Sequence, residues 1–375
     1  MRIALLGVED PSAGGSFSAE SRVFELFKEM QDSNLTFLTE DDIGIRSNFL
    51  FKVRKVLLPL RENQLCLQIK KYLGITRTTR YEKKLLNHGV DFVLYLRPCD
   101  DFLSLNQIPF AFTIWDFGQN DLRGFPEIYS DFETEKRNLL YSKATMRANF
   151  IVTDCTFTSS RIASHFGFPE EKIIILEFLP NPVLVDYPQS NLRKQVVVYP
   201  AQHWAHKNHR VLIDALSLNL QNHLESRRLI LTGGDKGNMK KIESYISQLG
   251  LEDEVELKGF IPASELFEII STSEILAMPS LLGPTNIPPL EALALGVPVV
   301  ASNRAASNVA GLKGVVLLNP RDIESWAEIF KISYTPKQPN RPEIIEHLQR
   351  TKQKNKGEAK RLISQIQELL YFLKY

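Results

Sequence analysis

Cysteine is scarce in this chain. The three present among 375 residues, Cys66, Cys99 and Cys155, are too few and too widely spaced for a disulfide framework or a zinc site. Long hydrophobic runs are missing too, and none approaches the roughly 20 apolar residues that span a bilayer. Neither sign of charge dominates: 45 Lys and Arg against 44 Asp and Glu leave a formal net charge of +1, which excludes a global attraction to nucleic acid. The opening MRIALLGVED lacks the apolar length of a secretory signal, and these absences together predict a cytoplasmic location. There is no short-period repeat and no low-complexity tract.

What is present is the composition of a globular protein, with 43% apolar and 24% charged residues. A chain of 375 residues is too long for one ordinary core and predicts two domains. RIALLGV is an apolar strand that runs into a loop with Gly14 and Gly15, followed by the helical pattern SRVFELFKEM. Strand, glycine loop and helix are how a Rossmann-like domain begins. DFVLYL (91–96), FAFTIW (110–115), NFIVTD (149–154) and KIIILEF (172–178) read as further buried parallel strands, and 126–148 as a long helix. The proline-rich stretch 179–194 reads as a linker. A second α/β series then runs from KQVVVYP to GVVLLN, and the chain closes on a helical pattern. The expected architecture is α/β: two Rossmann-like doubly wound domains, 1–185 and 186–345, facing a central cleft, with 346–375 as a helix packing back on the first.

One local imbalance interrupts the first domain. Between Arg46 and Lys84 there are eleven Lys or Arg against two acids, with apolar residues interleaved. A solvated helical face accounts for such a run, and so does a basic amphipathic segment lying on an anionic membrane surface.

Three stretches of the second half carry chemistry. In YPAQHWAHKNH a strand ends, and Lys207-Asn208 stands where a helix starts, well placed to hold a phosphate. His203, His206 and His209 recur at spacings of three, but no cysteine or carboxylate accompanies them, so no metal site is expected. Hydrogen bonding from His203 or His206 to a phosphate or sugar oxygen is the expected use. In ILTGGDKGN a strand runs into Gly233-Gly234, a turn that needs glycine. In SLLGPTNIPPLEALALGVPVV a proline-rich loop precedes Glu291, which is read as opening a helix, its carboxylate near the positive end and available to ribose hydroxyls. Taken singly, each has a plain structural explanation: a surface lysine, an α/β turn, a capping acid.

In this order and spacing, the three stretches resemble the sugar-nucleotide half of retaining family 4 glycosyltransferases of the GT-B fold, in a form like that of bacterial surface polysaccharide and O-antigen enzymes. The resemblance rests on Lys207-Asn208, Gly233, VELKGF (255–260), Pro279-Ser280 and PPLEALALGVPVV (288–300), and runs nearly continuously from Val196 to about Trp326. The first half matches more loosely, through Gly14-Gly15, TIWDFGQNDLRGFPE (113–127) and IVTDCTFTSSRIASHFG (151–167).

The resemblance implies a nucleotide-diphosphate sugar as co-substrate, no cofactor and no metal. It implies that Lys207, with Gly15 backbone N–H groups from across the cleft, neutralises the diphosphate, that Glu291 accepts the ribose hydroxyls, and that the backbone at Phe260 and Ile261 holds the base. Asp116 and Gln202 join Lys207 as catalytic candidates, and Gly14, Ser16 and Trp115 face the acceptor. The implied reaction moves a hexose, with mannose or rhamnose preferred, to a glycan or lipid-linked acceptor. The basic segment then suggests a peripheral position on the inner face of the cytoplasmic membrane.

Three positions depart from the family pattern. Gln202 replaces an arginine, Trp115 replaces a histidine, and Gly283 replaces the first of two glutamates. Sugar recognition then falls to Thr285, Asn286 and the N–H groups of the loop as far as Ile287. The same departures also fit a catalytically silent GT-B subunit. A nicotinamide-dependent dehydrogenase fits poorly, because neither glycine loop follows G-x-G-x-x-G with an acid about 20 residues on.

Overall fold

The computed structural model describes residues 1–7, 15–45, 78–122, 125, 131–190, 192–222 and 225–374, with backbone alone at 15, 16 and 131–133. Gly14 and the part of the basic segment at 46–77 lie outside the described residues. The first half runs β1 (Arg2–Leu6), α1 (Gly15–Lys28), β2 (Thr36–Leu38), α2 (Glu40–Ile43), α3 (Arg80–Asn87), β3 (Phe92–Tyr95), β4 (Phe110–Thr113), α4 (Gly118–Asp121), α5 (Asp131–Arg147), β5 (Phe150–Thr153), α6 (Thr156–Phe166) and β6 (Ile173–Ile175). Its six strands form one sheet in the order β2-β1-β3-β4-β5-β6, every pairing parallel.

The apolar strand runs are continuous because both faces of the sheet are covered. Alternation along β1 shows this: Ala4 and Leu6 join a core with Phe112 and Tyr141, whereas Ile3 and Leu5 join one with Phe27 and Leu362.

The second half runs β7 (Lys194–Pro200), α7 (His209–Asn222), β8 (Arg228–Thr232), α8 (Met239–Gln248), β9 (Val255–Lys258), α9 (Ala263–Thr272), β10 (Ser273–Met278), α10 (Ile287–Ala294), β11 (Val299–Ser302), β12 (Val315–Leu318) and α11 (Ile323–Ala327). These strands make a second parallel sheet, ordered β12-β11-β10-β7-β8-β9.

The last helix, α12 (Arg341–Lys374), is one element of 34 residues shared by both halves. Ile344 and Leu348 sit in the second core, while Ala359, Leu362, Ile363 and Ile366 sit in the first. Between them the buried Asn355 makes reciprocal bonds with the backbone of Glu177, 3.0 Å from its N and 2.8 Å to its O. Arg341 reaches back to the linker, donating to the carbonyls of Leu184, Val185 and Tyr187.

Two local expectations are corrected. α10 begins at Ile287, so Glu291 is its fifth residue and not its first. Pro288 and Pro289, read from sequence as loop, fall inside the first turn, where a missing N–H breaks no helical bond. Lys207 does not enter α7. It ends a 3₁₀ turn, Ala205–Lys207, and Asn208 then takes a left-handed conformation (φ 59°) before the helix starts at His209.

Candidate active site

The carboxyl ends of the strands bring the chemistry together. β4 leads to Asp116, β5 to Asp154, β7 to the turn carrying Lys207, β8 to Gly233, β9 to Phe260 and β10 to the loop 279–286. The turn and the loop are stitched to each other. Leu281 N donates to His206 O at 2.9 Å, and Asn208 Nδ2 donates to Pro279 O at 3.2 Å and Pro320 O at 2.8 Å. From beneath, the buried Tyr199 hydroxyl donates to Lys207 O at 2.9 Å.

Held in this way, the half-buried Lys207 ammonium points at the loop, 3.4 Å from Asn286 Oδ1. Desolvation pulls its pKa down to about 8, against a smaller upward pull from Asp116 of the other domain. It therefore keeps its charge at neutral pH with little compensation from the protein, a disposition suited to an anionic ligand. Glu291 is nearly buried, and desolvation raises its pKa to about 7, opposed by the charge of Arg22 on α1. Gly15 opens α1, so the free N–H groups of a helix N-terminus begin there.

Gly233 has a strict steric role. A Cβ there would lie 2.2 Å from Ala201 O, because the ends of β7 and β8 approach closely and are bonded from Ala201 N to Thr232 O at 2.8 Å. Its backbone also has φ +152°. Phe260, 56% exposed at the end of β9, and the half-buried Ile261 leave an open apolar edge beside it.

Several candidates are used differently from expectation. His203 is fully buried, and its ring stacks on the buried His209 with centroids 4.9 Å apart. Its backbone forms an isolated parallel bridge with Asp235. Desolvation lowers both imidazoles, His209 to about 3, so the pair is neutral. Among the described residues no cluster of three His, Cys, Asp or Glu is arranged to hold a metal.

Gln202 Oε1 accepts from Trp204 Nε1 at 3.0 Å, which turns the amide oxygen toward the tryptophan. His206 lies beside Trp204 with rings stacked 6.3 Å apart. Asn286 is clamped: Nδ2 donates to Gly283 O at 3.0 Å and Ala305 O at 2.6 Å, and its backbone exchanges two bonds with the Asn308 amide. The Thr285 hydroxyl donates to Asp154 across the cleft. Asp116 Oδ1 accepts from Gly118 N at 2.8 Å, and Trp115 packs on Phe178 at 5.2 Å. Ser16 has a described backbone in α1.

Sequence reading missed Asp154 and Arg22. Asp154 is nearly inaccessible, and desolvation raises its carboxyl to about 6. A polar residue ending the buried strand NFIVTD was the available signal. For Arg22, inside an ordinary amphipathic helix, there was none.

Two Rossmann-like domains with opposed strand ends and a shared terminal helix match solved structures along their whole length. A glycosyltransferase from Rickettsia africae superposes with a TM-score of 0.57 at 14% identity, covering 98% of this chain and 97% of that one. HepE of Anabaena, in complex with UDP-glucose, superposes with a TM-score of 0.54 at 18% identity over 100% and 99%. The fold is GT-B. Residues 186–352, the half that carries Lys207, Gly233 and Glu291, match the family model of glycosyl transferases group 1. The O-antigen chain mannosyltransferase RfbU of Salmonella typhimurium is 24% identical over 212 residues, 56% of this chain and 58% of that protein. A D-inositol 3-phosphate glycosyltransferase of Corynebacterium diphtheriae is 27% identical over 217 residues, 53% and 51%. The chain spans about half the length of the curated relatives it matches. No described helix is long and apolar enough to cross a membrane.

Proposed function

We propose that the chain is a retaining, metal-independent glycosyltransferase. It moves a hexose, mannose or rhamnose by preference, from a nucleotide-diphosphate sugar to a glycan or lipid-linked acceptor in surface polysaccharide assembly. The observation that carries the reading is the Lys207 ammonium. It is desolvated and lies 3.4 Å from Asn286 Oδ1 in the loop that leads into the helix of Glu291. Supporting it are the group 1 match over that half and the mannosyl transfer named for the Salmonella relative.

In this reading Lys207 and the N–H groups at Gly15 hold the diphosphate and offset the charge that develops on it as it departs. Glu291 accepts ribose hydroxyls, and the exposed edge at Phe260 and Ile261 receives the base. The acceptor approaches from the Asp116 side of the cleft. Position on the inner membrane face rests on the basic sequence between Arg46 and Lys84, and charge reversal at Lys52, Arg54 and Lys55 should weaken binding to anionic vesicles.

The turned Gln202 amide favours a second reading, a nucleotide-binding but silent GT-B subunit. Release of nucleoside diphosphate from a panel of sugar nucleotides, with a lipid-linked oligosaccharide acceptor, separates the two. Turnover that falls sharply in Lys207→Ala and Glu291→Ala supports the enzyme. Nucleotide binding with no turnover from any sugar nucleotide supports the silent subunit.

A further inference from the structure

Asn286 is the N-cap of α10, a place where an asparagine oxygen ordinarily accepts from the N–H of the second or third helical residue. Here those residues are Pro288 and Pro289, which have no N–H, and the Asn286 side chain makes no cap bond. Its oxygen is thereby left for another donor. The other end of the amide sets the direction. Nδ2 donates to Gly283 O at 3.0 Å and Ala305 O at 2.6 Å, so a flipped amide would set Oδ1 against two carbonyl oxygens. The backbone is pinned as well: Asn286 N donates to Asn308 Oδ1 at 3.2 Å, and Asn308 Nδ2 donates to Asn286 O at 2.8 Å. What Oδ1 then faces is the Lys207 ammonium, 3.4 Å away.

We propose that Asn286 is a positioning residue, which aims the Lys207 ammonium at the diphosphate of the donor, and that Asn308 holds Asn286 in place from the β11–β12 connection. This rests on the sugar-nucleotide reading above, and it reassigns Asn286 from reading the sugar to orienting the cation. A lysine needs such help because its charge sits at the end of a flexible four-carbon stem. The Tyr199 hydroxyl fixes Lys207 at its backbone oxygen, 2.9 Å away, and the Asn286 oxygen fixes the far end. A neutral acceptor suits the task. A carboxylate in the same place would pair with the ammonium and offset the charge that a diphosphate needs, whereas an amide oxygen steers the ammonium and leaves its charge intact. Of the three donors on the ammonium, this bond takes one and leaves two for phosphate oxygens.

The test is a double-mutant cycle on the whole chain. GDP, UDP, GDP-mannose and UDP-glucose are titrated calorimetrically into the wild type, Asn286→Ala, Asn308→Ala, Lys207→Met and the two double variants that carry Lys207→Met. Asn286→Ala should weaken the diphosphate that the wild type binds by about five- to tenfold and Asn308→Ala by about three- to fivefold, with the matching sugar nucleotide losing the same factors. In the Lys207→Met background neither substitution should change affinity by more than about 1.5-fold, because residues that act through one cation are not additive. Equal losses in both backgrounds would mark a purely structural role and overturn the proposal. A loss confined to the sugar nucleotides overturns it too, since Asn286 would then read the sugar. Should Asn286→Ala lower the thermal midpoint, the comparison of backgrounds with Asn308→Ala decides by the same criteria. A wild type that binds none of the four nucleotides overturns the sugar-nucleotide reading itself, and the proposal with it.

Discussion

Replacing Lys207 with methionine should damage function and improve stability together. The ammonium is held with its pKa at about 8 where an exposed lysine has 10.5, and desolvation is the main cause. That shift corresponds to about 3 kcal/mol, and to about 2 kcal/mol after allowance for the part of the side chain still in water. The native state carries this cost at every pH below about 8. As pH rises from about 8 to 10.5 the unfolded chain binds the proton more tightly than the native one, so wild-type stability recovers through that window.

Methionine keeps the stem and discards the charge. The variant should melt about 4–8 °C higher than the wild type at pH 7, and the advantage should vanish by about pH 10.5. Turnover should fall by about a hundredfold or more, as when one preorganised charge is removed from a developing anion. Scanning calorimetry at pH 7 and 10, beside nucleoside diphosphate release, reads both effects. A variant that melts lower at pH 7 and turns over normally would refute the reasoning.

Gly233→Ala should destabilise the second domain by about 2–4 kcal/mol and abolish nucleotide binding, because its Cβ would meet Ala201 O and push apart the ends of β7 and β8; denaturant midpoints with nucleotide titration check it. Acid should act through the buried histidine pair. His209 has a pKa near 3 when folded, below its unfolded value of 6.5, so stability is full above pH 6.5 and is lost as pH falls toward 3, by about 2 kcal/mol between pH 6.5 and 5. His209→Phe should remove that part of the acid sensitivity, and a pH-independent difference between the two proteins would contradict it. In the first domain, Glu82 Oε1 accepts the backbone N–H groups of Asn106, Gln107 and Ile108 at 2.7, 2.6 and 3.1 Å. Glu82→Ala should cost about 3 kcal/mol in melting experiments, with nucleotide affinity unchanged.

The strands were legible because parallel strands covered on both faces read as unbroken apolar runs, and the glycine turn at Gly233 was legible because only glycine allows that approach. Lys207 and Glu291 were legible as members of a spaced pattern, not as individual residues. Where sequence reading failed, tertiary geometry decided. β2 is only three residues long and sits at a sheet edge. Two consecutive prolines disguised the start of α10. The stacking of His203 on the buried His209 depends on tertiary packing that their spacing in the sequence does not encode. Asp154 bonds Thr285 of the other half and Arg22 acts on Glu291 only through its charge, and no local pattern encodes either.

The most direct test of the central claim is nucleotide-sugar binding by the whole chain. Thermal midpoints should be measured with GDP-mannose, a rhamnose nucleotide, UDP-glucose, and the parent diphosphates, for the wild type and for Lys207→Ala and Glu291→Ala. The account predicts that at least one sugar nucleotide raises the wild-type midpoint and that both substitutions abolish the rise. A midpoint indifferent to every nucleotide, or a rise that survives both substitutions, would contradict it.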